Sequence, residues 1–186
     1  GNKDTARQMA EKEEKLIRNK LGELVYGTAE QSLAEVVGKK LAQQGKTVAV
    51  AESCTGGSVG GLLTEVPGAS KYFTHGWITY SNAAKISELS IAADLIEQYG
   101  AVSEQVAQAM AFNARKKART DFAIGITGIA GPDGGTEQKP VGLVYISVDS
   151  DNGCEIKRCL FSHGRRAIRL RAAQTALNML RLKLNI

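Results

Sequence analysis

The sequence has 186 residues, 43% of them hydrophobic and 23% charged, as is ordinary for a globular protein. This length accommodates one α/β domain with a sizeable core and a short extension, but not two full domains. No apolar run approaches the roughly 20 residues that a membrane-spanning helix needs, so we expect no membrane segment. The net charge of +5 and the isoelectric point of about 9.1 suit an anionic ligand without requiring nucleic acid.

The cysteines and histidines narrow the chemistry further. Cys54, Cys154 and Cys159 are odd in number and form no CxxC pair, which favours free thiols in a reducing compartment, and we predict the cytoplasm. The two histidines, His75 and His163, are far apart and lack metal-ligand spacing. We therefore expect neither a metal site nor a cofactor.

The first quarter of the chain predicts two helices and a strand. Residues 4–25 are charged, with apolar residues near helical spacing, and predict a helix that Gly27 ends. Thr28 and Gln31 have the form of a capping box for a second helix, which Gly45 closes. Residues 47–51 then read as a buried strand.

A glycine turn, AESCTGG at residues 51–57, leads from this strand into a helix that breaks at Pro67-Gly68. The first amides of a helix point back at the preceding loop and favour an anion there. The turn carries three adjacent candidate nucleophiles beside the carboxylate of Glu52, namely Ser53, Cys54 and Thr55. The turn by itself does not decide among them.

Residues 77–80, WITY, predict a short strand, after which Ser81 or Asn82 caps a helix. Lys85 falls in the first turn of that helix, where a cation opposes the helix dipole by roughly 0.3–1 kcal/mol. The same field lowers the pKa of an amine. Lys85 is therefore either a catalytic amine or a solvated surface lysine.

The middle of the chain predicts a short helix over 91–99 and a longer one, capped by Ser103, with an apolar face. The basic residues at the end of the longer helix suit its C-terminus, and no aromatic residues interleave with them for stacking on bases. We interpret them as solvated charges and not as a nucleic-acid surface: Arg115, Lys116, Lys117 and Arg119.

A second glycine-rich loop, residues 127–142, separates strands at 122–127 and 143–148. It either presents several amides to an anion or is a wide hairpin. A further strand, 154–161, pairs antiparallel with the one before it. The last helix begins near Arg165 and has Arg165, Arg166 and Arg169 in its first turns, which suits either a bound anion or carboxylate partners. Its leucine stripe packs on the sheet or on another subunit.

Four motifs, in this order, resemble the CinA C-terminal domain, a family of nicotinamide mononucleotide deamidases: AESCTGG at 51–57, ITYSNAAK at 78–85, GAVSEQVA at 100–107 and TGIAGPDGGTEQKPVG at 127–142. The resemblance covers roughly residues 30–186, and residues 21–28 resemble the junction with an upstream domain in full-length members. We predict an α/β three-layer sandwich, with a mixed central sheet flanked by helices. Residues 1–27 form an N-terminal helical extension, or a linker from an upstream domain, and residues 28–186 form the amidohydrolase domain.

The resemblance implies metal-independent hydrolysis of the carboxamide of nicotinamide mononucleotide, with Ser53 as nucleophile, Lys85 as base and Tyr80 as a helper. The chemistry of the residues agrees, because an amide is a poor electrophile and the chain offers no suitable histidine as base. The amides of Thr55, Gly56 and Gly57 are the predicted oxyanion hole.

The substrate's ribose phosphate is predicted to lie against Arg165 or Arg169 and the second glycine loop, at Thr127, Gly128, Gly131 and Gly134. Glu52 either orients Lys85 or caps the turn, and is included among the substrate-binding residues. Many members have Gly-Asp-Arg before the last helix, where this chain has His163-Gly164-Arg165. The expected partner is a pyridine mononucleotide, with no nucleic acid and no membrane, in a homodimer or higher homo-oligomer. The alternative function is a non-catalytic nucleotide-sensing or assembly module.

Overall fold

A computed structural model describes residues 3–28 and 30–185. Residues 1 and 186, the outer limits of the two predicted segments, lie outside the described residues, as does Ala29 within the predicted capping box. The helices are α1 (Lys3–Leu21), α2 (Leu33–Gln44), α3 (Ser58–Thr64), α4 (Asn82–Leu89), α5 (Ala93–Tyr99), α6 (Glu104–Ala118) and α7 (Gly164–Lys183). The strands are β1 (Val48–Glu52), β2 (Phe73–Ile78), β3 (Phe122–Gly128), β4 (Leu143–Ser150) and β5 (Gly153–Leu160).

The five strands form one mixed sheet in the order β2-β1-β3-β4-β5. The central strand β1 pairs parallel with β2 and β3, whereas β4 pairs antiparallel with β3 and β5. The carboxyl ends of β1, β2 and β3 therefore meet at one edge of the sheet. The chain leaves β1 toward α3 and leaves the adjacent β2 toward α4, on opposite faces, and such a divergence opens a crevice between the two loops.

Helices cover both faces of the sheet. Helices α2, α3 and α7 pack on the face that carries Val50, Ile124 and Ile146. Helices α4, α5 and α6 pack on the opposite face, against Ala49, Ala51 and Ala123. This confirms the predicted α/β three-layer sandwich. The leucine stripe packs within the chain at Leu177, Leu180 and Leu184, the last of them just after α7, while Leu170 near the start of the helix is exposed.

Small residues let α6 approach the sheet closely. A Cβ on Gly125 of β3 would lie 2.4 Å from the carbonyl oxygen of Ala107 and 2.6 Å from the amide nitrogen of Ala111, both on α6. At the end of α6, Arg115 is buried and pairs with Asp149 and Asp151, at 2.5 and 2.6 Å. The prediction of a solvated charge is therefore wrong for Arg115.

The N-terminal helix α1 stands apart from the core, since none of its residues is buried. Its apolar side chains are exposed: Met9, Leu16, Ile17 and Leu21. Among the described residues, no helix combines the length and the apolar character needed to cross a membrane.

Two local predictions differ from the structure. The N-cap of α2 is Ser32, which accepts from the Glu35 amide at 3.2 Å, while the Glu35 carboxylate accepts from the Ser32 amide at 2.6 Å. Thr28 bonds to Gln31, through its amide and hydroxyl to the side chain and through its carbonyl to the amide, but this turn lies before the first residue of α2. Strand β2 lies at 73–78 and not at 77–80, because it follows the parallel register of β1 rather than its own apolar residues.

Candidate active site

The site is built around a tight turn after β1. The Gly56 amide donates to the Ser53 carbonyl at 3.0 Å, and α3 begins two residues later at Ser58. Gly56 and Gly57 have φ angles of 58° and 92°, which other residues adopt only with strain. The two glycines thus allow the chain to reverse between strand and helix with Ser53 at the start of the turn.

Glu52, the last residue of β1, holds this turn through hydrogen bonds to its carboxylate. Its side chain is fully buried, and its carboxylate accepts from the amides of Gly57, Val59 and Gly60 at 3.0, 3.2 and 2.9 Å. A carboxylate at a helix N-terminus satisfies amides that have no partner within the helix and interacts favourably with the dipole. Glu52 therefore caps α3, and the prediction that it binds substrate is not compatible with these bonds.

Lys85 lies against Ser53. Its Nζ is 3.2 Å from the Ser53 Oγ and donates to the carbonyl of Thr79, which follows β2, at 2.9 Å. The side chain is only 1% exposed, and this burial lowers the pKa of the amine, because desolvation disfavours the charged form. The alternative of a solvated surface lysine is wrong.

The neighbouring thiol is a poor competitor for the nucleophile's role. Cys54 is buried, and this desolvation raises the pKa of its thiol to about 11. Thiolate is the reactive form of cysteine, and this raised pKa disfavours it near neutral pH. Thr55 is fully buried and its carbonyl faces α7, which leaves Ser53 beside the amine.

A pocket of about 180 Å³ opens at the carboxyl ends of β1, β2 and β3. It brings together six residues predicted for the site: Ser53, Tyr80, Lys85, Thr127, Gly128 and Arg165. Cys54 lines it too, and sequence reasoning missed four others, Asn82, Ala101, Val102 and Ala130, although all four lie in the motifs at 78–85, 100–107 and 127–142. Thr127 donates to the Ala101 carbonyl at 2.7 Å, so its hydroxyl holds the pocket wall.

Arg165 crosses the mouth of the pocket. Its guanidinium donates to the Gly131 carbonyl and to the Tyr80 hydroxyl, both at 2.9 Å. Neither partner is charged, so the prediction of a carboxylate partner does not hold for Arg165. Among the described residues that line the pocket, Lys85 and Arg165 are basic and none is acidic. Because Lys85 is held toward its neutral form, the positive charge of Arg165 is what suits the pocket to a ligand with an anionic group.

Two predicted ligand-binding residues lie elsewhere. Arg169 donates to the Thr55 carbonyl and the Ser58 hydroxyl, and is not part of the pocket lining. Gly134 lies in the exposed part of the second glycine loop, away from the lining. Gly131 takes part only through its carbonyl, which accepts from Arg165.

The predicted oxyanion hole also changes. The Gly56 amide is occupied by the Ser53 carbonyl and the Gly57 amide by Glu52, because the turn and the start of α3 need these bonds. Within the part of the chain that the structure describes, the amides of Cys54 and Thr55 donate to no protein acceptor. Of the three predicted donors, only Thr55 keeps an amide without such an acceptor, and the Cys54 amide is a second; Cys54 lines the pocket, whereas Thr55 is fully buried and does not.

The family model for the CinA C-terminal domain matches residues 30–184. A CinA-like protein from Synechococcus is 50% identical over 93% of this chain, and a putative competence-damage inducible protein from Clostridium beijerinckii is 46% identical over 96%. The chain spans 41% and 44% of the length of these two relatives.

Solved structures agree with these sequence matches. The competence/damage inducible protein CihA from Agrobacterium tumefaciens is 38% identical, with a TM-score of 0.77 over 86% of this chain and 100% of the other. The competence damage-inducible protein A from Klebsiella pneumoniae is 31% identical, with a TM-score of 0.80 over 82% of this chain and 95% of the other.

Proposed function

This chain belongs to the CinA C-terminal domain family, and we propose that it is a serine-lysine amidohydrolase that converts nicotinamide mononucleotide to nicotinic acid mononucleotide and ammonia. The observation that carries the proposal is the buried Lys85 amine at 3.2 Å from the Ser53 hydroxyl, in a pocket that Arg165 also lines. A desolvated amine beside a hydroxyl is the arrangement that activates serine where no histidine is present.

The first half of the reaction uses Lys85 as a base. Neutral Lys85 takes the Ser53 proton as Oγ attacks the carboxamide carbon, and the resulting oxyanion accepts from the amide of Cys54, which lines the pocket. The protonated amine then gives its proton to the leaving nitrogen, and ammonia departs. An ester of Ser53 with the pyridine carboxylic acid remains.

In the second half, Lys85 takes a proton from a water molecule that attacks the ester. The acid is released, and the proton returns to Ser53 through the same amine. The Thr79 carbonyl holds Nζ in place throughout, because it accepts a hydrogen bond from the amine at 2.9 Å. Tyr80 lies at the rim, and its hydroxyl accepts a hydrogen bond from Arg165.

Arg165 accounts for the preference for a phosphorylated substrate. Its present acceptors are a carbonyl and a hydroxyl, and a phosphate offers the same donors a stronger, charge-assisted bond. The pocket volume of about 180 Å³ is small, so the pyridine amide enters it while the ribose phosphate extends to the rim at Arg165. Gly164 precedes Arg165, whose guanidinium is held by the Tyr80 hydroxyl and the Gly131 carbonyl.

The direct test is ammonia release from nicotinamide mononucleotide by the purified chain. We expect turnover by the wild type, none by Ser53→Ala, and near-normal turnover by Cys54→Ala. An active Ser53→Ala with an inactive Cys54→Ala would move the nucleophile to the thiol. Binding of the mononucleotide without ammonia release, unchanged in Lys85→Ala, would favour the non-catalytic nucleotide module.

Two further expectations stay proposals. A homodimer or higher oligomer rests on the family resemblance. The cytoplasm is inferred from Cys54, Cys154 and Cys159, which are all free thiols.

A further inference from the structure

Four donors converge on the carbonyl oxygen of Thr55, two residues after the proposed nucleophile. Arg169 of α7 donates through Nε at 3.2 Å and Nη2 at 2.7 Å. Ser58, the first residue of α3, donates through its amide at 3.3 Å and its hydroxyl at 2.6 Å. A single carbonyl is thus held by a cation 114 residues away and by the following helix.

These bonds fix the peptide plane between Thr55 and Gly56 at both ends. The carbonyl faces Arg169, and the amide of Gly56 donates to the Ser53 carbonyl at 3.0 Å. A rigid peptide cannot rotate while both of its polar groups are bonded in opposite directions. The amides of Cys54 and Thr55 belong to the same turn, so their direction depends on this plane.

The residues around Arg169 leave room for its contact with the Thr55 carbonyl. A Cβ on Gly56 would lie 3.2 Å from the Arg169 Nη2, so the glycine leaves room for the guanidinium. The Arg169 side chain is half-buried and is not part of the pocket lining, whereas Arg165, one helical turn earlier, is. Two arginines of one helix therefore serve different partners.

We propose that Arg169 is a positioning residue, which holds the Thr55 carbonyl so that the turn aims the Cys54 amide at the oxyanion. This inference rests on the proposed amidohydrolase function, and it replaces the prediction that Arg169 holds the substrate's phosphate. Removing one donor from an oxyanion hole typically lowers kcat by roughly 10²–10³-fold. Misaligning a donor lowers kcat less than removing it, and we expect kcat to fall about 10-fold to 100-fold in a variant without Arg169.

The test compares Arg169→Lys with Arg171→Lys, an exposed arginine of the same helix outside the pocket lining. Both variants keep the charge, but lysine lacks the planar fork that bonds the carbonyl through two nitrogens. Each is assayed on nicotinamide mononucleotide and on the nucleoside that lacks the phosphate. For Arg169→Lys we expect the same loss in kcat on both substrates, with KM changed less than about twofold, while Arg171→Lys stays at the wild-type level.

Two results would overturn the proposal. A higher KM confined to the phosphorylated substrate, with kcat unchanged, would make Arg169 a phosphate ligand. Wild-type kinetics for Arg169→Lys would show that the bonds from Arg169 to the Thr55 carbonyl do not affect catalysis. Ser58→Ala supplies a second measurement, should Arg169→Lys fail to fold, because it removes a bond to the same carbonyl from the other side; we expect a fall in kcat of about threefold or more, and an unchanged kcat would contradict the proposal.

Failure of the proposed function would show differently. If the wild type releases no ammonia from any pyridine amide, acylation of Ser53 by p-nitrophenyl acetate still reports on the turn. The proposal predicts that Arg169→Lys slows this acylation about tenfold or more relative to Arg171→Lys. Equal rates in the two variants would reject it independently of the natural substrate.

Discussion

At the scale of single residues, burial rather than residue type distinguishes the proposed catalytic side chain from others of its kind. Lys85 is one of 24 basic residues, and its distinction is that it is 1% exposed with Nζ bonded to Thr79 and close to Ser53. Desolvation favours the neutral amine, which is the form that can accept a proton. Burial of the amine lowers the stability of the folded state, and it also provides the neutral base.

The pH dependence of activity should report this directly. Burial lowers the pKa of Lys85, so the neutral base is present at lower pH than for a free lysine, whose pKa is about 10.4. We expect kcat/KM to rise with pH, with a midpoint below that of a free lysine, and to level off above it. A profile without any rise between pH 6 and the free-lysine range would contradict a lysine base.

Lys85→Met should separate activity from stability. The variant loses all turnover, but it gains stability near neutral pH, because it no longer buries an amine. In the wild type the unfolded chain binds the Lys85 proton more tightly than the folded one, so stability rises with pH between the lowered pKa and the ordinary one. Urea unfolding at several pH values should show the advantage of Lys85→Met shrinking across that window. A less stable variant at pH 7 would refute the desolvation argument.

At the scale of elements, sequence patterns predicted two helix starts correctly and a third wrongly. Ser81 and Ser103 accept from the amides of Ala84 and Val106 at 3.0 and 3.3 Å, as expected for the N-caps of α4 and α6. The start of α2 was misplaced, because Thr28-x-x-Gln31 and Ser32-x-x-Glu35 are both capping-box patterns. Only the apolar face of α2, which must pack at Val37 and Leu41, selects the second.

A matched pair of variants checks this boundary. Ser32→Ala removes the acceptor for the Glu35 amide and should lower the free energy of unfolding by about 1 kcal/mol. Thr28→Ala lies before the helix and should change it by less than about 0.5 kcal/mol, as for other exposed positions. Chemical denaturation of the two proteins in parallel decides the point, and equal effects would contradict the assignment of Ser32 as N-cap.

At the scale of the whole molecule, the layers are held close by residues without side chains. The separation of α6 from the sheet is set at Gly125, where a Cβ would meet the Ala107 carbonyl at 2.4 Å. This contact also holds the wall of the pocket, since α6 follows the loop at Ala101 and Val102. Fold and site are thus coupled through one interface between helix and sheet.

Gly125→Ala and Gly61→Ala are a controlled comparison at this scale. The first forces α6 away from β3 and should cost about 3 kcal/mol or more, as severe overpacking does. The second adds a methyl group in open space on α3, where alanine is the better helix former, and should add about 0.5–1 kcal/mol. Thermal unfolding of both measures the difference, and a tolerated Gly125→Ala would mean that α6 can shift.

Local chemistry was sufficient for a large part of this description. The turn of Gly56 and Gly57, the serine caps and the alternation of apolar residues all act over a few positions, so the sequence by itself determined the α/β layers, the mixed sheet and the placement of Ser53 after a strand. It also brought Lys85 into consideration, because a lysine in the first turn of a helix is unfavourable without a role.

The tertiary structure alone decided the roles that depend on distant contacts. Glu52 caps α3 rather than binding a ligand, since three amides reach its carboxylate only when the turn is folded. Arg169 and Arg165 look equivalent in the sequence, yet one bonds to Thr55 and the other to Tyr80, across separations of 114 and 85 residues. Such contacts leave no local pattern, because the packing of α7 across the edge of the sheet determines which atoms each side chain can reach.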